Sequence, residues 1–276
     1  MVDIIPAKAG IQIFIKEMEN NKVINSNCWV AYFDILGFRN NVEHFPAEGV
    51  LEEYRKVLKE IERHNVNCKF FSDSFVFYTE NDSEDSFRRI DAALKFFFSA
   101  MFNQYIPMRG CLNVGHFYVD EEKGIFLGRS LVEAHDLAEG QNWVGFILSE
   151  KVGERLYDFN AKDSKLYRDE LKKHYVEYQV PFKKKMKRSL LVFNLTIDPY
   201  LSNAQAQQYQ SELLNSLDTM KYISIIHLRK RMKSKELIGL KKCHEYKNVN
   251  TKYKNTKDFL LYVYPTLKGK VGGKQR

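Results

Sequence analysis

The chain has 276 residues, 44% of them hydrophobic and 14% aromatic, which is enough apolar surface for a folded core and too much for a chain disordered throughout. No apolar run approaches the roughly 18 residues of a membrane span, residues 1–19 hold Asp3, Lys8, Lys16 and Glu17 rather than an apolar signal core, and the cysteines (Cys28, Cys68, Cys111, Cys243) show no CxxC spacing, which fits buried free thiols in a reducing cytoplasm. The net charge of +8 is uneven: residues 206–276 carry 16 Lys/Arg against 5 Asp/Glu, or +11, and the rest of the chain sums to −3, so a nearly neutral body carries a basic tail suited to nucleic acid, to an anionic substrate or simply to solvent.

Residues 1–27 read as an extension. A first strand is predicted over about 28–36, from the apolar run Trp29-Val30-Ala31-Tyr32-Phe33. From Pro46 to Asn65 the apolar residues Val50, Leu51, Tyr54, Val57, Leu58 and Ile61 keep helical spacing. Two strands, about 66–71 and 75–80, meet at Ser72-Asp73-Ser74. A helix over about 84–105 carries the stripe Phe87, Ile90, Leu94, Phe97, Phe98, Met101 and Phe102, and Pro107 stops it. A strand from Met108 to Val119, a helix over 128–139, a strand over 143–148 and a short helix capped by Ser149 follow. The charged stretch 160–175 reads as an insertion. A hairpin, 176–182 and 189–196, then forms around the basic turn Lys183 to Arg188. Beyond Pro199-Tyr200 the expectation is helix at 202–222 and 233–247, a late strand at Phe259–Tyr264 and a frayed Gly- and Lys-rich stretch from Lys268.

The element order is βαββαβ with additions. It predicts an α+β fold: a ferredoxin-like core with a mixed sheet and helices on one face, plus a basic, mostly helical C-terminal extension. The expected division is an extension at 1–27, a catalytic domain at 28–200 and the basic extension at 201–276.

Two aspartates stand out. Asp34 closes the first strand and Asp73 sits in the turn between the next two. A carboxylate is a poor strand residue, and this fold places strands one and three side by side, so the two converge on one sheet edge. Alone, each is equally well a cap or a turn residue. Together they suit a hard cation: Mg²⁺ or Mn²⁺ shares oxygen ligands with substrate phosphates. Two such ions about 3.5–4 Å apart support in-line phosphoryl displacement. Gly37 permits close backbone approach to a phosphate, and Arg109 and the lysines at 183–185 are candidate counter-ions for a triphosphate.

These segments resemble the catalytic domain of class III nucleotidyl (adenylate/guanylate) cyclases. Phe33-Asp34-Ile35-Leu36-Gly37-Phe38 resembles the first metal element, and Lys69-Phe70-Phe71-Ser72-Asp73-Ser74-Phe75 the second-metal hairpin. Met108-Arg109-Gly110-Cys111-Leu112-Asn113-Val114-Gly115 resembles the Arg-x-Gly strand. Leu127 to Ala134 resembles the helix after the family's Gly, and Ile147-Leu148-Ser149-Glu150 the closing strand. The likeness spans about 29–195. It implies cyclisation of a nucleoside triphosphate to the 3′,5′-cyclic monophosphate with release of pyrophosphate. Two Mn²⁺ or Mg²⁺ ions per site would be held by Asp34, Asp73 and the Ile35 carbonyl, with Arg109 on the phosphates and a homodimer completing two sites. Lys69 stands at the family's base-reading lysine position, and Gly37, Phe38, Arg129 and Lys183 are further candidate substrate contacts, with His135 nearby.

The departures concern the base and the ribose. Val132 and Asp136 stand where the family carries Asn and Arg, and Ile125 stands where it carries an acidic adenine reader. Loss of purine-reading groups resembles the uridylate and cytidylate cyclases of the Pycsar anti-phage system, which implies UTP or CTP as substrate and a separate cyclic-nucleotide effector. A purine cyclase, or a degenerate module that binds nucleotide or nucleic acid without turnover, remains open at this point.

Overall fold

The computed structural model describes residues 23–38, 47–160, 174–195, 203–231 and 244–263. In chain order these form β1 (Val23–Ile35), α1 (Ala47–Glu62), β2 (Asn67–Phe71), β3 (Ser74–Tyr78), α2 (Glu84–Asn103), β4 (Met108–Asp120), β5 (Ile125–Leu127), α3 (Arg129–Gly140), β6 (Gly145–Leu148), α4 (Glu150–Asn160), β7 (Tyr175–Pro181), β8 (Lys187–Phe193), α5 (Asn203–Arg231) and α6 (His244–Val263). The fold is α+β with a mixed sheet. Its strands run β2-β3-β1-β4-β6-β8-β7, with β5 paired to β4. Among the described strands only β4 and β6 are parallel; the other pairs are antiparallel.

β1 lies inside the sheet, between β3 and β4, and both its faces are apolar. Its odd-numbered side chains meet α2: Trp29 packs on Phe87 and Phe33 on Phe97 and Phe98. Its even-numbered side chains meet α3, where Tyr32 packs edge-on against His135 with ring centroids 4.9 Å apart. The expectation of helices on one face is therefore corrected: α2 covers one face and α3 the other. The unbroken apolar run Trp29–Phe33 is what two covered faces require. The Phe33 ring lies over Gly110, its cross-strand partner on β4.

Ser83 caps α2, its Oγ accepting from the Ser86 N–H at 3.2 Å, and the expected apolar stripe is buried along the helix. Ser149 does the same for α4, accepting from Val152 N–H at 3.3 Å. The β2–β3 turn places Ser72 at φ 58°, a left-handed conformation that the two-residue link imposes. β5 was not anticipated, and three residues are too few to give a pattern.

The C-terminal helices belong to the same core. Leu213, Leu217, Met220, Phe259 and Leu260 are buried with the sheet residues. The expected strand at Phe259–Tyr264 is helix as far as Val263. Its buried side chains, Tyr253, Thr256, Phe259 and Leu260, follow a helical stripe, and Phe259 packs on Trp143 and Tyr178. Most of the helix expected at 233–247, most of the insertion expected at 160–175 and the stretch from Lys268 lie outside the described residues. Among the described residues no helix is long and apolar enough to cross a membrane.

Cys28 and Cys111 are fully buried and Cys68 is partly buried, all as free thiols. Burial raises all three thiol pKa values, that of Cys68 to about 12. With Cys243 replaced by serine, the native protein is expected to react slowly with a thiol reagent at pH 8 and to release three equivalents on unfolding. A rapid native equivalent would contradict this packing.

Candidate functional site

The ends of β1 and β4 and the β2–β3 turn meet at one sheet edge. Asp34 pairs with Ser74 across β1–β3 and with Arg109 across β1–β4. Ile35 N–H donates to the Asp73 carbonyl at 2.9 Å, and Leu36 N–H to the Pro107 carbonyl at 2.8 Å. Tyr32 and Ser74 share a hydroxyl hydrogen bond of 2.6 Å beside the turn. The chain then turns at Gly37, whose φ of 77° suits glycine.

Asp34 is 7% exposed and Arg109 is 5% exposed. Arg109 Nε donates to Asp34 Oδ2 at 2.9 Å, and Nη2 forms an ion pair with the same oxygen at 2.8 Å. Nη1 donates to the Glu139 and Gln141 carbonyls at 2.9 and 3.1 Å, and Nη2 also donates to the Glu139 carboxylate. Lys183 Nζ pairs with the other Glu139 oxygen at 3.3 Å. Burial pushes the Asp34 carboxyl up to about 6 against the pull of Arg109, and the neighbouring Glu139 adds to the rise. Burial also acts to raise Glu139, but the Arg109 and Lys183 cations and its coupling to Asp34 outweigh it and hold that carboxyl low.

Arg109 is thus corrected from an open phosphate contact to the centre of a closed network, since two carboxylates and two carbonyls engage its N–H groups. Asp73 is half-buried, and its carboxylate has no hydrogen bond or ion pair among the described residues. A cation on Asp34 would have to displace a guanidinium. Among the described residues no group of three or more His, Cys, Asp or Glu converges as a metal site. As the side chains stand, Asp34, Asp73 and Ile35 do not fit resident Mg²⁺ or Mn²⁺.

The remaining sequence candidates are dispersed. Lys69 is exposed on β2 and pairs with Glu121 at 3.5 Å. Arg129, 86% exposed in its side chain, pairs with Glu133 at 2.8 Å. It lies ten residues along α3 from Glu139, about 15 Å at the helical rise. Phe38 packs on the core and Gly37 is exposed. Only Lys183 of the expected substrate contacts joins the Asp34 network.

The chain matches no protein-family model, and no curated protein matches it. It is similar to several solved structures. One is a non-canonical dimeric guanylyl cyclase domain of the RhoGC fusion protein from the aquatic fungus Blastocladiella emersonii, with 14% identity over 62% of this chain and 97% of that one and a TM-score of 0.45. The adenylyl cyclase CyaB from P. aeruginosa aligns at 14% identity over 66% of this chain and 100% of that one, with a TM-score of 0.42. The guanylyl cyclase Cya2 aligns at 16% identity over 64% and 95%, with a TM-score of 0.42.

Beside the network, a cavity of about 650 Å³ opens between α3 and the β7–β8 turn. Asn113, Glu139, Ser149, Phe182, Lys183 and Arg188 are among its lining residues. Its floor is fixed by Asn113, which accepts from Ser149 Oγ at 2.7 Å and donates to the Ser130 carbonyl at 3.0 Å and to Glu133 at 3.1 Å. Glu139 is the site residue that sequence reasoning missed. A carboxylate in the last turn of a helix opposes the helix dipole, and that conflict was its available signal.

Proposed function

We propose that the protein is a nucleotidyl cyclase acting on a pyrimidine nucleoside triphosphate, UTP or CTP. The observation that supports it is the join between the end of β1 and the Ser72-Asp73-Ser74 turn, which carries both motif aspartates to one edge in the strand order the resemblance requires. In the reaction the 3′-hydroxyl oxygen bonds to the α-phosphorus, the bond to pyrophosphate breaks and the hydroxyl proton leaves. Asp73, with its carboxylate unpaired, faces the reacting groups. Lys183 and the rim of the adjoining cavity supply positive charge toward the phosphates. The pyrimidine choice rests on sequence, with Ile125 and Val132 in place of purine- and ribose-reading groups. The product would be read by a separate effector, and the active form would be a homodimer.

A second reading, a nucleotide-binding module without turnover, draws on the Arg109–Asp34 pair, which closes one of the two carboxylates. Incubation with Mn²⁺ and each of ATP, GTP, CTP and UTP, with products identified by mass spectrometry, separates them. Cyclic UMP or cyclic CMP is expected, and it is expected to disappear in Asp73→Ala with little change in melting temperature. Cyclic AMP or cyclic GMP would overturn the base assignment. Absence of product from all four would favour the binding module.

A further inference from the structure

The basic extension contributes to this edge. α6 is fixed to the segment that follows α3, the segment whose Gln141 carbonyl accepts from Arg109. Asn255 Nδ2 donates to the Asn142 carbonyl at 2.8 Å. Val144 N–H donates to Thr256 Oγ1 at 2.9 Å, and Thr256 Oγ1 lies 3.3 Å from the Val144 carbonyl. Lys252 stands one turn before Thr256, on the same face of α6, and Thr256 Oγ1 bonds its carbonyl at 3.1 Å. The side chain is half-buried and has no hydrogen bond or ion pair among the described residues.

The charges acting on Lys252 define its surroundings. They are Arg109 and Lys183, which disfavour its charge, and Asp34 and Glu139, which favour it. Burial is the larger cause of its lowered pKa, and the two cations act more strongly than the two carboxylates. The carboxylates are already satisfied by Arg109 and Lys183. The half-buried Lys252 ammonium makes no ion pair among the described residues, and the two carboxylates that favour its charge are engaged by other cations, so it lacks a negative partner of its own.

We infer that Lys252 of the C-terminal helix is a substrate-binding residue that, with Lys183, receives the polyphosphate chain of the nucleoside triphosphate. This rests on the reading of the edge as a nucleotide site and adds to it a residue outside every motif that suggested that reading. The extension thereby supplies part of the site as well as cover for the sheet.

The test is calorimetric binding of inorganic tripolyphosphate, and separately of UTP, in EDTA at low salt. The proteins are wild type, Lys252→Gln, Lys252→Arg and Lys254→Gln, the last an exposed control on the same helix. Melting curves check that each variant is folded. Lys252→Gln is expected to weaken both ligands by about tenfold, the scale of one charge-assisted contact. Lys252→Arg and Lys254→Gln are expected to stay near wild type. Equal binding by wild type and Lys252→Gln, or no tripolyphosphate binding by wild type, would overturn the inference. Turnover separates the two readings. Cyclic product together with Lys252-independent binding removes the inference alone. Lys252-dependent binding without product from any triphosphate removes the cyclase reading and leaves the inference standing.

Discussion

Arg109→Met is expected to destabilise the protein by about 3–5 kcal/mol, the usual cost of removing one partner from a buried charge pair. The side chains of Arg109 and Asp34 are 6% and 10% exposed, so water cannot replace the lost guanidinium. Its removal leaves Asp34 and Glu139 facing one another without their shared cation. In a chain of this size the melting temperature should fall by roughly 10 °C. Arg109→Lys should recover only part of this, because one ammonium cannot span two carboxylates and two carbonyls as the planar guanidinium does. Adding Asp34→Asn to Arg109→Met should restore much of the loss, since the orphaned carboxylate is then gone. That non-additivity is the signature of direct coupling. If Arg109→Met melts within about 2 °C of wild type, the network does not form as described.

Gly110→Ala is the second large effect. A Cβ there would stand 2.2 Å from two ring carbons of Phe33. Phe33 is fully buried between Phe77, Phe97, Phe98 and Phe146 and has nowhere to retreat. Overpacking of this kind costs about 1–3 kcal/mol, with the upper end expected here because the clash is with a ring inside a packed cluster. Phe33→Leu should cost stability alone yet soften the effect of Gly110→Ala in the double variant, which thermal melts would read directly. Strictly additive losses would mean that the ring and the glycine do not share the space. Because Gly110 follows Arg109 on β4, a shift of that strand would also disturb the Arg109–Asp34 pair.

The sheet edge was legible from sequence because it depends on local signals. Alternating or continuous apolar runs end at Asp34 and at the Ser72-Asp73-Ser74 turn, and the βαββαβ order makes their strands neighbours. The placement of helices on both faces was also written there. A run with Trp29, Val30, Ala31, Tyr32 and Phe33 all apolar needs cover on each side. Helix α6 was misread because Phe259 to Tyr264 is rich in residues that favour strands. The helical stripe Tyr253, Thr256, Phe259 and Leu260 decides the matter, and it includes a threonine that an apolar count passes over. The role of Arg109 depended on Glu139 and Gln141, about thirty residues away, whose position follows from how α3 crosses the sheet. Lys252 left no local signal at all. One lysine in a basic tail looks like any other until α6 is docked.

That docking has a consequence for the order in which the molecule folds. The Thr256 hydroxyl meets Val144 across 112 residues of chain, and Arg109 meets Asp34 across 75. Contacts so distant in sequence bring their stabilisation only after long loops have closed, so topologies built on them fold slowly. The β2–β3 hairpin and the α2 stripe rest on near neighbours and can form early. The charged edge then matures last, when α6 arrives, and amide protons at Val144 should gain protection later in refolding than those of α2.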